Sequence, residues 1–314
     1  MPTPRSRRFV PRVVVVGDLM LDVVLAPADA LAAGTDVPGR VTLRQGGSAA
    51  NTARWLARLG ARTTLIAAVG RDPAGRALVK TVQSDGVVAR VIRIAGAPTG
   101  RIGVVVAPTG ERSFVADRGA ADRLAPEELE PAWFDRLSLL HLPAYSLLGE
   151  PLGAAGRRAI ELARAAGGQV SLDLASVGPL LARGRRAALG LVRDAGPDVL
   201  FATAAEAEAL VGPGRPETLL ELAPVAILKR GPRGATVLAL EDGNRLRFEV
   251  ATERLKATDT TGAGDAFDAG FIVDWLASRA AGRSLPAALQ RAAVAGHHAA
   301  ARQLRAPRPE LTFA

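Results

Sequence analysis

The sequence predicts an α/β fold of three layers, in which helices cover both faces of a doubly wound, mostly parallel sheet. Residues 13–16 are an unbroken run of valines between Pro11 and Gly17, which is typical of a strand buried on both faces of a parallel sheet. Short apolar segments of this kind then alternate with helix-like segments over most of the chain. Such alternation is the pattern of βα units.

The predicted elements follow in chain order. Residues 51–59 are predicted to form a helix because apolar side chains recur at helical spacing and Gly60 follows, where a glycine commonly ends a helix. The other predicted helices are 74–84, 153–166, a segment within 178–193, 263–278 and 285–302. The other predicted strands of the main sheet are 63–69, 139–142, 170–172, 199–201, 226–229 and 236–240.

Two β-rich segments interrupt this alternation, at about 22–45 and 88–118. In the second segment, short strands at 91–94, 102–107 and 113–116 are joined by turns such as 108–110, which is typical of a meander. We predict that the two segments join as a small β-sheet lid beside the main sheet. Because no internal repeat or linker-like stretch is present, residues 1–314 are predicted to form one domain with this lid inserted.

Composition argues against several function classes. The 314 residues include no cysteine and three histidines, which excludes thiol nucleophiles and makes zinc hydrolase chemistry improbable. The net charge of +9 raises the question of nucleic acid, but the arginines are dispersed and aromatic residues make up only 4%. No window reaches the ~20 apolar residues of a membrane span. We therefore expect a cytoplasmic protein with neither a nucleic acid nor a membrane as its partner.

The most informative segment is 259–271, a glycine-rich turn that runs directly into an apolar helix. The backbone N–H groups of such a turn converge on one point, and the positive end of the helix adds to them, so the segment predicts an anion site. An acidic residue beside a bound phosphate is useful when it accepts a proton from an attacking hydroxyl. Asp265 is therefore placed like a general base. The alternative is that Asp265 only caps the helix.

Residues 259–271 resemble the C-terminal signature of the ribokinase-like, or pfkB, family of carbohydrate kinases. Residues 46–53, followed by 69–72, resemble the N-terminal, substrate-side signature of the same family. The resemblance covers nearly the whole chain. It implies an ATP-dependent kinase that phosphorylates a hydroxyl of a sugar or sugar-like compound, with ATP and Mg²⁺ as cofactors and a homodimer formed through the lid.

The resemblance also implies roles for individual residues. Asp265 matches the catalytic base. The residues whose backbone matches the family's anion hole are Gly262, Ala263 and Gly264. The residues that match the substrate pocket are Asp22, Gly46, Gly47 and Asn51. A carboxylate with an amide suits a polyol, whose adjacent hydroxyls need both acceptors and donors. The structural alternative for Asp22 and Asn51 is turn or cap formation.

On the nucleotide side, residues 229–234 resemble the family segment that runs beside ATP. The residues implied to bind the nucleotide are Thr203, Glu206, Lys229, Gly231 and Gly234. Glu206 is expected to hold Mg²⁺ through water, although Thr203 stands where the family usually has asparagine. Asp259 and the backbone of Thr261 resemble a monovalent-cation site, so potassium activation is a further expectation.

Two departures from the family pattern concern the substrate. Met20 stands where ribokinases have a sugar-binding asparagine, and Pro143 stands where they have a glutamate. These changes argue against ribose itself. A nucleoside kinase acting on an adenosine-like or pseudouridine-like substrate is the first alternative, and a non-catalytic sugar or nucleotide sensor is the second.

Overall fold

The computed structural model describes residues 9–107, 109, 112–255, 257, 259–306 and 308–313. Within these residues the strands are β1 (Arg12–Val16), β2 (Met20–Pro27), β3 (Gly39–Gly46), β4 (Arg62–Gly70), β5 (Val88–Ile94), β6 (Arg101–Val106), β7 (Arg112–Asp117), β8 (Leu139–Pro143), β9 (Gln169–Asp173), β10 (Val199–Thr203), β11 (Val225–Lys229), β12 (Ala235–Glu241) and β13 (Asn244–Val250). The α-helices are α1 (Ser48–Arg58), α2 (Pro73–Ser84), α3 (Tyr145–Leu148), α4 (Leu152–Ala165), α5 (Val177–Leu181), α6 (Arg185–Ala195), α7 (Ala204–Val211), α8 (Ala263–Ala280) and α9 (Leu285–Arg305).

The main sheet confirms the predicted fold class. Its strand order is β13-β12-β11-β10-β9-β8-β1-β4-β5, and every neighbouring pair from β11 to β5 is parallel. The β11–β12 and β12–β13 pairs are antiparallel. Neighbouring valines of β1 belong to different cores, because Val13 and Val15 pack on one face of the sheet and Val14 and Val16 on the other. This two-sided burial explains the unbroken apolar run.

A second sheet of four strands, in the order β3-β2-β6-β7, forms the lid. The registers place Val104 and Phe114 on the face toward the cavity described below, which we call the inner face of the lid. Val41 and Val115 lie on the opposite, outer face. The turn predicted at 108–110 lies outside the described residues except for Thr109.

The structure corrects the assignment of one strand to the lid. β5 is the edge strand of the main sheet, where it pairs in parallel with β4 from Thr64↔Val88 to Gly70↔Ile94. The prediction placed 91–94 in the lid because further short strands and turns follow it, as in a meander. The alternation of arginines with apolar residues in β5 suits any half-exposed strand. An edge strand of a parallel sheet shows the same alternation, since only part of its surface is covered.

Several other elements differ from the predictions, and the short helix α3 is one that was not predicted. The helix expected within 178–193 is two helices, α5 and α6, separated by a segment in which Gly184 has φ +86. The helix α7 and the strand β13 were not predicted. No helix in the described ranges has the length and hydropathy needed to cross a membrane.

Candidate active site

The candidate site lies at the edge of the main sheet where the parallel strands end. β9 ends at Asp173, β10 at Thr203 and β11 at Lys229. Doubly wound sheets bind ligands beyond the carboxyl ends of their strands. A cavity of about 1070 Å³ opens there, bounded by the first turn of α8 and the inner face of the lid. The predicted site residues that line it are Asp22, Gly47, Asn51, Thr203, Glu206, Lys229, Thr261, Gly262, Gly264 and Asp265.

Asp265 stands in the first turn of α8 and is held by two side chains of α1. Its Oδ1 accepts a hydrogen bond from the Ser48 hydroxyl at 2.7 Å, and its Oδ2 accepts one from the Asn51 amide at 2.8 Å. Burial raises the pKa of Asp265 to about 6, although both hydrogen bonds favour the charged form. The side chain therefore does not cap its own helix, and its pKa suits a general base near neutral pH.

The predicted anion hole is the N-terminal turn of α8. Gly262 is the N-cap residue, with a φ of +78 that favours glycine. The amide of Ala263 already donates to the carbonyl of Thr260 at 3.2 Å, so the structure differs from the prediction at this residue. The amides of Gly264 and Asp265 follow in the first turn, where N–H groups have no partner within the helix. These two amides and the positive end of the helix dipole suit the binding of an anion.

Lys229 lies directly beneath this turn, in a cluster of buried carboxylates. Its Nζ is 3.1 Å from Asp173 Oδ1 and 3.0 Å from Asp268 Oδ2. Burial opposes its charge, but the carboxylates of Asp173 and Asp268 outweigh burial and raise the pKa of Lys229. Burial also raises the pKa of Asp268 well above its usual value, with Lys229 opposing. One ammonium thus faces Asp173, Asp268 and the nearby Glu206, an arrangement that favours a proton on one carboxyl.

Thr203 and Glu206 form a capping box at the start of α7. The Thr203 amide donates to Glu206 Oε2 at 2.7 Å, and the Glu206 amide donates to Thr203 Oγ1 at 3.2 Å. Burial, followed by the charge of Asp173, raises the pKa of Glu206.

Five predicted site residues, all within the described ranges, lie outside the cavity lining: Gly46, Gly231, Gly234, Asp259 and Ala263.

The substrate-side residues meet where β2, β3 and α1 approach one another. Asp22 is buried, and its Oδ2 accepts a hydrogen bond from Arg308 Nη1 at 2.6 Å. Burial raises the pKa of Asp22, while Arg308 opposes the shift. A Cβ on Gly46 would overlap the Asp22 carboxylate, so glycine leaves the room that Asp22 occupies. Gly47 has φ +94 and approaches the carbonyl of Asp18, which also requires glycine.

Comparison with known proteins decides the family. A family model described as "pfkB family carbohydrate kinase" matches residues 10–309. The chain belongs to this family. It is therefore an ATP-dependent kinase whose acceptor is a sugar or a nucleoside, as the sequence motifs predicted.

Relatives and solved structures support the assignment. Fructokinase-1 of Oryza sativa subsp. japonica is 30% identical over 267 residues, which cover 81% of this kinase and 80% of the relative. The fructokinase of Salmonella typhimurium is 30% identical over 277 residues, which cover 85% of each chain. Among solved structures, the adenosine kinase from Sinorhizobium meliloti matches with a TM-score of 0.81 at 26% identity, covering 96% of this kinase and 97% of that chain.

Asp259 and Thr261, the predicted cation ligands of this kinase, contact protein groups instead. Arg112 Nη1 lies 3.2 Å and Arg44 Nη1 3.4 Å from the carboxylate of Asp259. Burial opposes the charge of Asp259, but hydrogen bonds from Thr261 and the charges of Arg308 and Arg112 lower its pKa overall. The carboxylate is thus ionised and is already surrounded by cations.

The structure adds site residues that the sequence analysis did not assign. Those that line the cavity are Asp18, Ser48, Tyr145 and Asp173. Arg118, at the end of the predicted lid segment 88–118, lines it as well. Arg118 pairs with Asp18 at 3.4 Å and with Asp122 at 2.6 Å, and its Nη2 is buried with no protein partner in the described chain. The position of Asp268 near Asp265 could have been predicted from the sequence, because residues three apart lie on the same face of a helix.

Proposed function

We propose that Asp265 is the catalytic base of this kinase and that the acceptor is a sugar or a sugar-like polyol. The observation that carries the proposal is the pair of hydrogen bonds from Ser48 and Asn51, which hold the Asp265 carboxylate in the first turn of α8. A base with a pKa of about 6 is ionised at neutral pH and is still basic enough to take a hydroxyl proton in the transition state.

In this proposal the acceptor hydroxyl gives its proton to Asp265 as its oxygen attacks the γ-phosphorus of ATP. The bond between that phosphorus and the β,γ-bridging oxygen breaks, and ADP leaves with the electron pair. The amides of Gly264 and Asp265 stabilise the charge on the transferred phosphoryl group. Lys229, beneath them, offsets part of the negative charge of Asp173 and Asp268. Closure of the lid excludes water, which would otherwise compete as the acceptor.

The acceptor pocket combines carboxylates with donors, which suits vicinal hydroxyls. We propose that Asp22, Gly46, Gly47 and Asn51 form it, together with Asp18 and Arg118. Arg118 is already neutralised by Asp18 and Asp122, and its Nη2, which has no partner among the described residues, can donate to a substrate oxygen. This charge balance favours a hydroxyl over an anionic group at that position.

We propose that the nucleotide lies along Thr203, Glu206, Lys229, Gly231 and Gly234. Glu206 and Asp173 are buried carboxylates at neighbouring strand ends, which fits a hydrated Mg²⁺, since this ion keeps several waters beside one or two carboxylates. Mg²⁺, when bound, would neutralise charge on the phosphates. Thr203 holds the Glu206 carboxylate in place through its amide.

A nucleoside is the second candidate acceptor. The inner face of the lid presents Ile102, Val104, Phe114 and Ala116 to the cavity. Phe114 is 60% exposed, so an apolar ring of a ligand could cover it. A planar base would bury this surface, whereas a simple polyol would leave it in water.

We also propose that residues 1–314 act as one kinase domain, that the protein works in the cytoplasm and that it forms a homodimer through the lid. The outer face of the lid carries Val41 and Val115, which are 64% and 73% exposed, and β7 is an edge strand among the described residues. Light scattering should give a dimer mass for the wild type and a monomer mass for Val115→Lys. A monomeric wild type would contradict the dimer.

The acceptor is tested by an ADP-release assay with ATP and Mg²⁺ across pentoses, hexoses, keto-deoxy acids and nucleosides. Turnover with one compound, lost by about 10²–10⁴-fold in Asp265→Asn, supports the proposed base and names the acceptor. Ser84→Ala, at an exposed helix end outside the cavity lining, is the matched control and should keep full activity. Turnover retained by Asp265→Asn would remove the proposed base.

A further inference from the structure

Asp259 lies at the base of the turn that leads to the anion site, and three arginines converge on it. Arg112 and Arg44 approach its carboxylate at 3.2 and 3.4 Å, and Arg308 Nε approaches it at 3.6 Å. Arg112 also donates hydrogen bonds to the hydroxyls of Thr260 and Thr261. The same carboxylate accepts the Thr261 amide at 2.9 Å, so Asp259 shapes the turn itself.

The carbonyl oxygen of Thr261 also accepts a hydrogen bond from the protein. Gln303 Nε2 of α9 donates to it at 3.2 Å, and the indole of Trp55 holds Gln303 by donating to Oε1 at 2.9 Å. Both groups that the family resemblance assigned to a monovalent cation therefore already have protein donors. A potassium ion beside Asp259 would also sit within a few ångströms of three guanidinium groups, which would repel it.

These residues do not fit a bound monovalent cation. We infer that the guanidinium groups of Arg112 and Arg308 take its place and hold the 259–262 turn in the shape that presents the anion site. They are positioning residues. Arg112 contacts Asp259, Thr260 and Thr261, and Arg308 contacts Asp259 and Asp22, so neither touches the reacting atoms. The inference rests on the proposed function, since it assumes that the first turn of α8 binds phosphate.

The three arginines come from elements that connect this turn with the lid and with Asp22. Arg44 and Arg112 belong to β3 and β7 of the lid, so they reach Asp259 only when the lid lies against the turn. Arg308 comes from the segment after α9 and also binds Asp22 at 2.6 Å. A diffusible ion would neutralise Asp259 whatever the lid position. The guanidinium of Arg112 neutralises it in the closed arrangement, which links phosphate binding to lid closure.

The first test needs no variant. Affinity for a non-hydrolysable ATP analogue with Mg²⁺ is measured by calorimetry in potassium chloride and in tetramethylammonium chloride of equal ionic strength, together with the melting temperature. We expect the affinity to agree within twofold and the melting temperature to stay unchanged. A tenfold loss of affinity in tetramethylammonium would overturn the inference while leaving the proposed function standing. An analogue that binds in neither salt would remove both.

The second test uses Arg112→Met, because Arg112 lies on a lid strand and its loss leaves Asp22 and Arg308 paired. We expect a tenfold or greater loss of analogue affinity, partly restored by millimolar guanidinium ion. Arg101→Met is the matched control, since Arg101 is an exposed lid arginine that pairs with Asp117 and should leave affinity unchanged. Equal affinities for Arg112→Met and the wild type would overturn the inference.

Discussion

The pKa of Asp265 should appear directly in the pH dependence of the kinase. A carboxylate base is active only when ionised, so kcat/KM falls as the pH drops through the pKa of the free enzyme. The usual value is 3.8, and burial raises it to about 6 in this structure. At about pH 5 roughly a tenth of such groups are ionised, so kcat/KM should be about tenfold lower than at about pH 8. With an unshifted carboxyl as the base, kcat/KM would fall by less than about 10% between these two pH values.

The fall of kcat/KM at low pH is the acidic limb of the pH profile. Removal of one hydrogen bond to Asp265 should shift this limb in a known direction. Ser48 donates to the Asp265 carboxylate at 2.7 Å and so favours the charged form. Ser48→Ala removes a hydrogen bond to a charged group. Because the site opens to solvent, we take this bond as worth about 1.5 kcal/mol. Its loss should therefore shift the acidic limb upward by about one pH unit. The assay is ADP release with the identified acceptor, measured as kcat/KM from about pH 4.5 to pH 9.

Ser84→Ala controls for a general effect of serine removal and should keep the wild-type profile. A wild-type limb below about pH 5 would show that burial does not shift the pKa of Asp265. A limb that stays in place in Ser48→Ala would show that the Ser48 hydroxyl does not bond the ionised carboxylate. Either result would refute the reasoning from this geometry.

Three further variants test the surroundings of the site. Gly46→Ala should raise the KM for the acceptor about tenfold and destabilise the fold by about 1–3 kcal/mol in urea unfolding, because its Cβ overlaps Asp22; an unchanged KM would contradict this packing. Lys229→Met should destabilise by about 3–5 kcal/mol at pH 7, since it leaves buried carboxylates such as Asp268 unpaired. The loss should shrink as the pH falls, because burial raises the pKa of Asp268 and a protonated carboxyl needs no cation, and a pH-independent loss would count against the cluster. Arg118→Met should raise the KM for the acceptor with little change in kcat, which steady-state kinetics would reveal.

The main sheet could be predicted because its strands carry their own signal. The valines of β1 and the glycine after α1 report burial and helix ending within a few residues of sequence. The assignment of β5 failed because half-exposed strands look alike in sequence whichever sheet they join. Only the pairing with β4 across α2 distinguishes the two cases, and that pairing is a tertiary contact.

The site could be predicted in part for the same reason. Asp265 and its glycines lie in one continuous motif, so their proximity is written in the local sequence. Arg308 lies in a tail with no recognisable pattern, and its contact with Asp22 spans 286 residues. The ion pairs of Lys229 could not be predicted from the sequence either, because they depend on carboxylates from β9 and α8.

The pairing of Asp22 with Arg308 bears on how the protein is made. A ribosome releases the strand that carries Asp22 early and the segment that carries Arg308 almost 290 residues later. Until then the carboxylate lacks the cation that lets it stay buried, so the surroundings of Asp22 are completed in one of the last steps of synthesis. An interrupted chain that ends before residue 308 would therefore hold Asp22 without this partner.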